Sequence, residues 1–520
     1  MAARQAIAGR RARARLAAAG ALVLLVALNG ASLSPVLAGG PWPAQSFPPS
    51  GSPGPSPSAG ASSQPTPGPS GSPSSAPSAA PSSGPSAGPS SAPSSDPSSS
   101  PSSGPPLPTP RALASASRIA PIGAVPVQPG TVTFYGRGYG HGLGLSQYGA
   151  RGRALAGQTA ATILAHYYQG TTAAAVDPAA PVRILVFGPS SPTATTPIVL
   201  HGRGAAFTID GLTGTFPIGA RVAVWRSGSG FGLKITSTAG SLLLSKTTAT
   251  ADLRLRSGAD PGRIQVDSQP SAFDTYRATI RILGTSSGVL AINEIGLDLY
   301  LRGVVPVEMP AGWPIEALKS QAIAARSYAE EHVHVGIGAY DLYNDTRSQV
   351  YRGSLGEVNT ATAAVTGTAG GVLKSGSRVI NALYHSADGG ATENNENVYT
   401  SATGQIVSGP VSYLRGSSDR DPNGISYDSS SPHATWHTAA YTYAQLTAIF
   451  ATDSRTNVGT LSGINLTDKG VSGRPIKVVL SGSLGSKSVS AEIFREVFNS
   501  GSPAADPYMW STLFDTAPIP

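Results

Sequence analysis

The stretch from Pro48 to Pro110 restricts folded structure to the part of the chain that follows it. It consists almost wholly of Pro, Ser, Gly and Ala, has Asp96 as its one charged residue, and contains no aromatic side chain. Such a composition cannot bury enough apolar surface to offset the entropy of ordering the chain. We therefore predict a disordered, semi-extended linker over residues 39–125.

The first 38 residues have the pattern of a removable export signal. An arginine-rich start is followed by the apolar run "LAAAGALVLLVAL" and by Val36-Leu37-Ala38, which suits signal peptidase. The apolar run is short for a membrane span, so we expect membrane contact only if the signal stays uncleaved. Removing its five arginines lowers the formal net charge from +8 to +3. That charge is too small to argue for nucleic acid binding, and the segment predicts a secreted protein.

Short β-rich runs recur between Val182 and Ile295, separated by Gly, Ser, Pro and Asp turns. They are "VRILVFG", "RVAVWR", "GLKITS", "YRATIRIL" and "GVLAINEI". These runs predict a mostly antiparallel sheet or a small barrel. Because the chain has no cysteine, an ordinary apolar core must stabilise it without disulfides.

The hydrophobic period becomes helical in "GWPIEALKSQAIAARSYAEEHVHV", where Pro314 fits a first-turn position. The residues expected on its apolar face are Ile315, Leu318, Ala322, Ala325 and Ala329. Further helices are predicted at Glu357–Thr366, Tyr443–Phe450 and Ala491–Phe498. Strands lie between these helices, so the sequence predicts an α+β fold.

The segment "GRGYGHGLGLSQYGARG", Gly136 to Gly152, is the first candidate site. It lacks the Lys-Ser/Thr ending of a phosphate-binding loop, and Leu143 stands where a dinucleotide-binding loop needs its third glycine. Its glycines permit close approach of a ligand to the backbone, while a histidine, a serine, a glutamine and a tyrosine offer polar groups and a ring face. A glycine turn with a packed histidine explains these residues equally well.

Glu308 in "YLRGVVPVEMPAGWP" is the second candidate. An apolar setting among Val305, Val307 and Met309 would raise the pKa of its carboxyl group, as a general acid at neutral pH requires. The positive end of the helix that begins near Pro314 would act in the opposite direction. A carboxylate that caps this helix is the competing interpretation.

The third candidate is the polar segment "YHSADGGATENNENVY", Tyr384 to Tyr399, which suits either a surface loop or a sugar-binding cleft. Ser386 as a nucleophile would need His and Asp partners that the sequence does not place. The histidine patterns that could hold a metal ion are weak, and no metal ligand is assigned. The patterns are His332 with His334, His433 with His437, and His141 with His385.

Together these segments resemble the SpoIID/LytB family, which comprises stage II sporulation protein D, a peptidoglycan lytic transglycosylase, and related amidase-enhancer proteins. The resemblance rests on "LDLYLRGVVPVEMPAGWPIEALKSQAIAARSYA", followed in order by "QVYRG", "YHSADGGATENNENVY", "SYLRG", "SGRP" and "FREVF". It divides the folded part into residues 126–275, which carry the glycine motif and the β-rich region, and residues 276–520, the SpoIID/LytB-like domain.

Two features depart from the family pattern. The GHGxGxSQ motif commonly ends the domain, whereas here it precedes the rest, which suggests a permuted arrangement with neighbouring chain ends. Relatives often carry cysteines near the positions of Asn344 and Ser348, so any metal or disulfide that depends on them is in doubt here.

The resemblance implies that Glu308 is the catalytic residue, as general acid and then base at the bond between N-acetylmuramic acid and N-acetylglucosamine. Asp298 and Glu393 are the candidates for a second carboxylate. The residues expected to bind substrate, or in the case of Gln321 and Arg326 to support Glu308, are His141, Ser146, Gln147, Tyr148, Gln321, Arg326, His385, Ser386, Thr392 and Glu393. We further expect His141 and Gln147 to lie near Glu308 in space.

The resemblance leaves two functions open. The first is an exported lytic transglycosylase that needs no cofactor and acts on peptidoglycan glycan strands in the cell wall. The alternative is a non-catalytic peptidoglycan-binding module that enhances a cell-wall amidase. A third, weaker hypothesis is a metal-dependent hydrolase, which a chelator would inactivate.

Overall fold

A computed structural model describes residues 130–333, 338–502 and 508–519. The predicted export signal (1–38) and linker (39–125) lie outside the described residues, as does His334. Within the described ranges, no helix combines the length and the apolar character needed to cross a membrane.

The strands are numbered in chain order. They are β1 (Thr131–Val132), β2 (Tyr135–Gly136), β3 (Leu145–Ser146), β4 (Thr172–Ala175), β5 (Pro181–Ser190), β6 (Ile198–Arg203), β7 (Thr208–Ile209), β8 (Arg221–Ser227), β9 (Gly230–Thr236), β10 (Leu242–Thr247), β11 (Asp252–Arg256), β12 (Arg263–Val266), β13 (Thr275–Tyr276), β14 (Thr279–Thr285), β15 (Gly288–Gly296), β16 (Leu342–Tyr343), β17 (Gly371–Ser375), β18 (Arg378–Val379), β19 (Tyr384–His385), β20 (Trp436–His437), β21 (Tyr441–Thr442), β22 (Leu461–Asn465), β23 (Lys477–Gly482), β24 (Gly485–Ser490) and β25 (Phe514–Asp515).

The helices pack between and beside these sheets. They are α1 (Gln147–Leu155), α2 (Ala160–Tyr167), α3 (Leu297–Arg302), α4 (Val305–Glu308), α5 (Ile315–His332), α6 (Asn359–Thr366), α7 (Asn395–Val398), α8 (Tyr443–Ala451) and α9 (Ala491–Gly501), with a 3₁₀ turn at Gly353–Gly356. The predicted α+β class is confirmed.

Two six-stranded sheets form the β-rich region. Their strand orders are β10-β9-β8-β6-β12-β13 and β16-β5-β15-β14-β11-β7. All neighbouring strands in them are antiparallel except the parallel pair β16 and β5, which confirms the mostly antiparallel prediction. Strands from both sides of residue 275 share these sheets. The boundary between 126–275 and 276–520 therefore divides the sequence motifs, while the sheets continue across it.

Helix α5 confirms the strongest helix prediction and lies at the centre of the helical layer. It packs against α1, α2, α3, α4, α6 and β17. Because neighbours surround it, polar residues such as Ser320 and Ser327 are buried together with its apolar face. The prediction that Ile315 belongs to the buried face is wrong, since Ile315 is 44% exposed in the first turn. Pro314 occupies the N-cap position just before that turn.

The glycine-rich segment is built into the fold by pairing with distant parts of the chain. Strand β2 lies between β20 and β25, and β3 pairs in parallel with β19. The Arg137 guanidinium also donates a 2.9 Å hydrogen bond to the Ile519 carbonyl. The two ends of the described fold are therefore neighbours, as the permuted order of motifs requires.

Candidate active site

Glu308 ends the short helix α4, and its carboxyl group is held by the segment that follows β16. The Val350 N–H donates a 2.8 Å hydrogen bond to Glu308 Oε1, and the Tyr384 hydroxyl contacts the same carboxyl group. Burial raises the pKa of Glu308 to about 7, and these two donors limit the rise. The residue as a whole is only half-buried, so a group close to half-protonated at neutral pH remains within reach of solvent.

The alternative role for Glu308, capping of helix α5, does not match its contacts. Helix α5 has Pro314 at its N-cap and no side chain capping it, while the Glu308 carboxylate accepts from Val350 instead. The opposing effect expected from the positive end of α5 is outweighed, because the net shift of the pKa is upward. Desolvation by the surrounding protein thus dominates the electrostatics of this carboxyl group.

A network of buried hydroxyl and amide groups orients Tyr384 toward Glu308. Gln349 is fully buried; its amide donates to the Tyr384 hydroxyl at 3.0 Å, and its carbonyl oxygen accepts from the Tyr300 hydroxyl at 3.2 Å. Tyr328 lies close enough for the ionised Glu308 to raise its pKa. Sequence reasoning assigned no role to Gln349, Val350, Tyr300 or Tyr384. All four residues lie inside the motifs that carry the family resemblance. Those motifs indicate a shared site but do not indicate which residues form hydrogen bonds with one another.

Gln147 links the glycine-rich segment to Glu308 across 161 positions of sequence. Its side-chain amide donates to the Glu308 backbone carbonyl at 2.9 Å and to Gln321 Oε1 at 3.3 Å. Gln147 and Glu308 therefore lie close together, as expected. Since the bond is to the backbone, Gln147 fixes the position of α4 and leaves the Glu308 carboxyl group free for chemistry.

Two half-buried aromatic side chains form a platform beside this contact. The rings of Tyr148 and Trp313 meet edge to face with centroids 4.7 Å apart, and the Arg151 guanidinium lies 5.6 Å from the Trp313 ring. The Tyr148 N–H donates to the Ser386 carbonyl at 2.9 Å, which fixes α1 against the segment after β19. Aromatic faces with polar edges suit the apolar faces and hydroxyl groups of sugars.

His141 lies next to His385. Within the described residues, no direct contact between His141 and Glu308 is found. The two imidazole centroids are 5.2 Å apart, and His141 Nδ1 accepts from the Leu143 N–H at 2.9 Å. Burial, followed by the nearby Arg474, lowers the pKa of His141 to about 4, so this ring is neutral at pH 7. Burial likewise holds the pKa of His385 well below its usual range.

Close backbone approach explains the alternating glycines of this segment. Gly140 has φ +111°, and a Cβ there would lie 2.9 Å from the His385 Cβ. Gly144 has φ +66°, and a Cβ there would lie 2.0 Å from the Leu383 carbonyl oxygen. Both positions combine a left-handed conformation with tight contact, so a side chain at either would displace the segment from β19.

Arg326 and Ser146, two of the predicted site residues, make contacts within the protein. Arg326 is fully buried; it donates to Asp298 at 2.6 Å and to the Gly371 carbonyl at 2.9 Å. Ser146 is fully buried and caps α1 by accepting from the Gly149 N–H at 3.2 Å. Asp298, a candidate second carboxylate, is therefore occupied by Arg326.

Thr392 and Glu393 likewise tie loops together. The Thr392 hydroxyl accepts from the Ser417 N–H at 2.9 Å. The buried Glu393 carboxylate accepts from the backbone of Val471 at 3.0 Å and from the backbone and hydroxyl of Ser472 at 2.9 and 2.5 Å. These bonds anchor the "SGRP" loop. The contacts of both side chains are thus with other loops of the protein.

Of the histidine patterns considered for a metal, His141 and His385 are neighbours, while the described histidines of the other two patterns contact different partners. His332 stacks on Tyr328, and His433 stacks on Trp510 while the His437 ring faces its neighbour Thr438. In the described part of the chain, no three His, Cys, Asp or Glu side chains are grouped to hold a metal ion.

Comparison with known proteins finds a match to one family over part of the chain. The family model for SpoIID, described as stage II sporulation protein, matches residues 285–374, the segment that contains Glu308 and α5. This match supports assignment of the chain to the SpoIID/LytB family.

Individual relatives match over part of their length. The chain is 39% identical over 123 residues to the amidase enhancer of Bacillus subtilis, covering 24% of this chain and 16% of that protein. It is 30% identical over 182 residues to stage II sporulation protein D of Bacillus subtilis, covering 32% of this chain and 49% of that protein. An uncharacterized protein of Brachyspira hyodysenteriae is 29% identical over 171 residues, which cover 31% and 46% of the two chains. The chain thus spans about half or less of the length of these relatives.

Proposed function

We propose that this protein is a lytic transglycosylase that cleaves peptidoglycan glycan strands between N-acetylmuramic acid and N-acetylglucosamine, with Glu308 as general acid and base. The observation that carries the proposal is the position of the Glu308 carboxyl group. The residue is half-buried, and the Val350 N–H and the Tyr384 hydroxyl hold its carboxyl group. It lies on an element fixed by Gln147 beside the aromatic platform of Tyr148 and Trp313.

The reaction needs one carboxyl group that changes its protonation state. Protonated Glu308 gives its proton to the glycosidic oxygen as the bond to the muramic C1 breaks. The resulting carboxylate then accepts the proton of the muramic 6-hydroxyl as that oxygen bonds to C1, which closes a 1,6-anhydro ring and restores the acid. No water is consumed and no second carboxylate is required, in agreement with the structural roles of Asp298 and Glu393. A pKa of about 7 supports both forms at neutral pH.

Product analysis tests this proposal directly. The purified full-length chain is incubated with glycan strands, with and without stem peptides, and the products are separated by mass. Wild-type protein is expected to release anhydromuramyl ends. Glu308→Gln is expected to lose this activity by at least about 100-fold, in the range of a general acid–base contribution. Glu331→Gln, a matched change at a more exposed glutamate of α5, serves as the control and should retain it. Absence of anhydromuramyl products from correctly folded wild-type protein contradicts the proposal.

The second candidate function is enhancement of a cell-wall amidase. It is favoured by the 39% identity to the Bacillus subtilis amidase enhancer. In this case the chain binds peptidoglycan and increases release of stem peptides by an added amidase, and Glu308→Gln leaves the increase unchanged. Running both assays on the same preparations separates the two functions. A chelator control addresses the metal-dependent hydrolase, which alone predicts loss of activity on metal removal.

We also propose that the protein acts outside the cytoplasmic membrane. The support is the signal pattern in residues 1–38 and the long Pro/Ser-rich segment that follows it. Fractionation of cells that express the full chain, with N-terminal sequencing of the product, tests this. Recovery from the cytoplasm with an intact N-terminus contradicts it.

A further inference from the structure

A second group of aromatic side chains lies along the glycine-rich segment, apart from the platform of Tyr148 and Trp313. The Trp510 ring stacks on His433 with centroids 3.9 Å apart, and Tyr139 meets both rings edge to face at 5.2 Å. Tyr508 extends the group, 5.7 Å from Trp510. Tyr508 is 57% exposed, and the other three are half-buried. We name these four residues the distal aromatic cluster.

Backbone hydrogen bonds hold the distal aromatic cluster in place. Gly138 donates to the His433 carbonyl at 2.8 Å, and Gly140 donates to the Trp510 carbonyl at 3.1 Å. Two separate segments, one with His433 and one with Trp510, are therefore joined by the glycine-rich segment. Rings that are ordered before a ligand arrives lose little conformational entropy when they bind it.

The polar edges of Trp510 and His433 are available to a ligand. Within the described residues, neither the Trp510 indole N–H nor the ring nitrogens of His433 have a hydrogen-bond partner, and neither side chain is buried. Burial lowers the pKa of His433, so the ring is neutral at neutral pH. Neutral ring faces with unused donors and acceptors match the alternating apolar faces and hydroxyl groups of a sugar.

Tyr139 of the cluster and the Glu308 carboxyl group contact the two ends of one short segment, residues 384–387. The Tyr139 N–H donates to the Ala387 carbonyl at 2.7 Å, while the Tyr384 hydroxyl contacts Glu308. Tyr384 and Ala387 are three residues apart, so their Cα atoms are separated by at most about 11 Å. A chain of a few sugar rings covers such a span together with the side chains at its ends.

We infer that the distal aromatic cluster is a second sugar-binding subsite, which holds a glycan strand a few residues away from the bond presented to Glu308. The inference rests on the proposed function for its choice of ligand, a β-linked polymer of N-acetylated amino sugars. It explains why aromatic side chains remain half-exposed at this end of the glycine-rich segment. The subsite favours long strands over short ones, because only a long strand contacts both aromatic groups.

Binding measurements on an inactive background test the subsite. Full-length Glu308→Gln protein, which prevents turnover, is titrated with peptide-free glycan strands of two lengths, a disaccharide unit and a long strand. Adding Trp510→Ala is expected to weaken binding of the long strand about 3- to 10-fold, in the range measured for aromatic contacts, and to leave the short ligand unaffected. Trp510→Phe keeps a ring and should retain most of the affinity. Tyr443→Ala is the matched control, since Tyr443 is also half-buried against the same apolar cluster as Trp510.

Each outcome bears on the inference. Unchanged affinity for the long strand in folded Trp510→Ala overturns it. If that variant does not fold, Tyr508→Ala replaces it, because Tyr508 is largely exposed, and unchanged binding then has the same meaning. Loss of amidase enhancement without loss of glycan affinity also overturns it, since the cluster would then contact a protein. Weaker binding of the long strand together with no anhydromuramyl products from wild type supports the subsite and contradicts the proposed catalysis, so the two can fail separately.

Discussion

Glu308→Gln should stabilise the protein at alkaline pH, by an amount that follows from the environment of the carboxyl group. The ordinary pKa of a glutamate is 4.5, and burial raises that of Glu308 to about 7 in the folded protein. Between these values the folded state binds more protons than the unfolded state, so the free energy of unfolding falls as pH rises. The loss is complete above the folded pKa and amounts to about 3 kcal/mol.

Urea unfolding at pH 4 and pH 8 measures this effect without any assay of activity. Glutamine does not titrate, so the difference in unfolding free energy between variant and wild type should move by about 3 kcal/mol in favour of the variant between pH 4 and pH 8. Effects of the substitution that do not depend on pH cancel in this comparison. Glu331→Gln, at a side chain that is 40% exposed, should show no such change. A difference that is the same at both pH values would refute the argument that desolvation dominates at Glu308.

Three further substitutions test individual contacts. Tyr384→Phe removes a donor to the Glu308 carboxylate, so the alkaline limb of the kcat/KM profile should move up by about one pH unit; a limb that stays in place counts against the contact. Gln147→Ala frees the Glu308 backbone and should lower kcat about tenfold or more with little change in KM, whereas a change confined to KM would indicate a substrate contact. Glu393→Gln weakens the anchor of the loop at Ser472 and should lower the free energy of unfolding by about 2–3 kcal/mol; unchanged stability with weaker glycan affinity would restore its predicted binding role.

Local sequence patterns predicted the secondary structure well. The strands between Val182 and Ile295 and helix α5 have periods that neighbouring residues determine. Ile315 shows the limit of prediction from local periodicity, because its exposure depends on which elements surround the first turn of α5. A helix enclosed on most sides buries polar residues too, and no period in the sequence indicates that.

Glu308 at the centre of the site was predictable from the sequence, but its hydrogen-bond partners were less so. Glu308 could be selected because apolar neighbours and a family motif pointed to the same residue. Val350 and Tyr384 could not, since a hydrogen bond between residues 42 or more positions apart depends on packing. Arg326 and Glu393 illustrate the reverse case, in which polar residues of a motif form hydrogen bonds to other parts of the protein.

The pairing of β2 with β25 affects how the protein folds. Strand β2 lies near the start of the described chain and β25 near its end, so this pair joins residues almost 380 positions apart. Contacts of such long range form late, after the local helices and hairpins. During synthesis, the segment that carries Gln147 emerges long before the partners of β2 exist. We therefore expect an incomplete chain to lack an assembled candidate site, so the proposed glycan cleavage should be absent until β25 has been made.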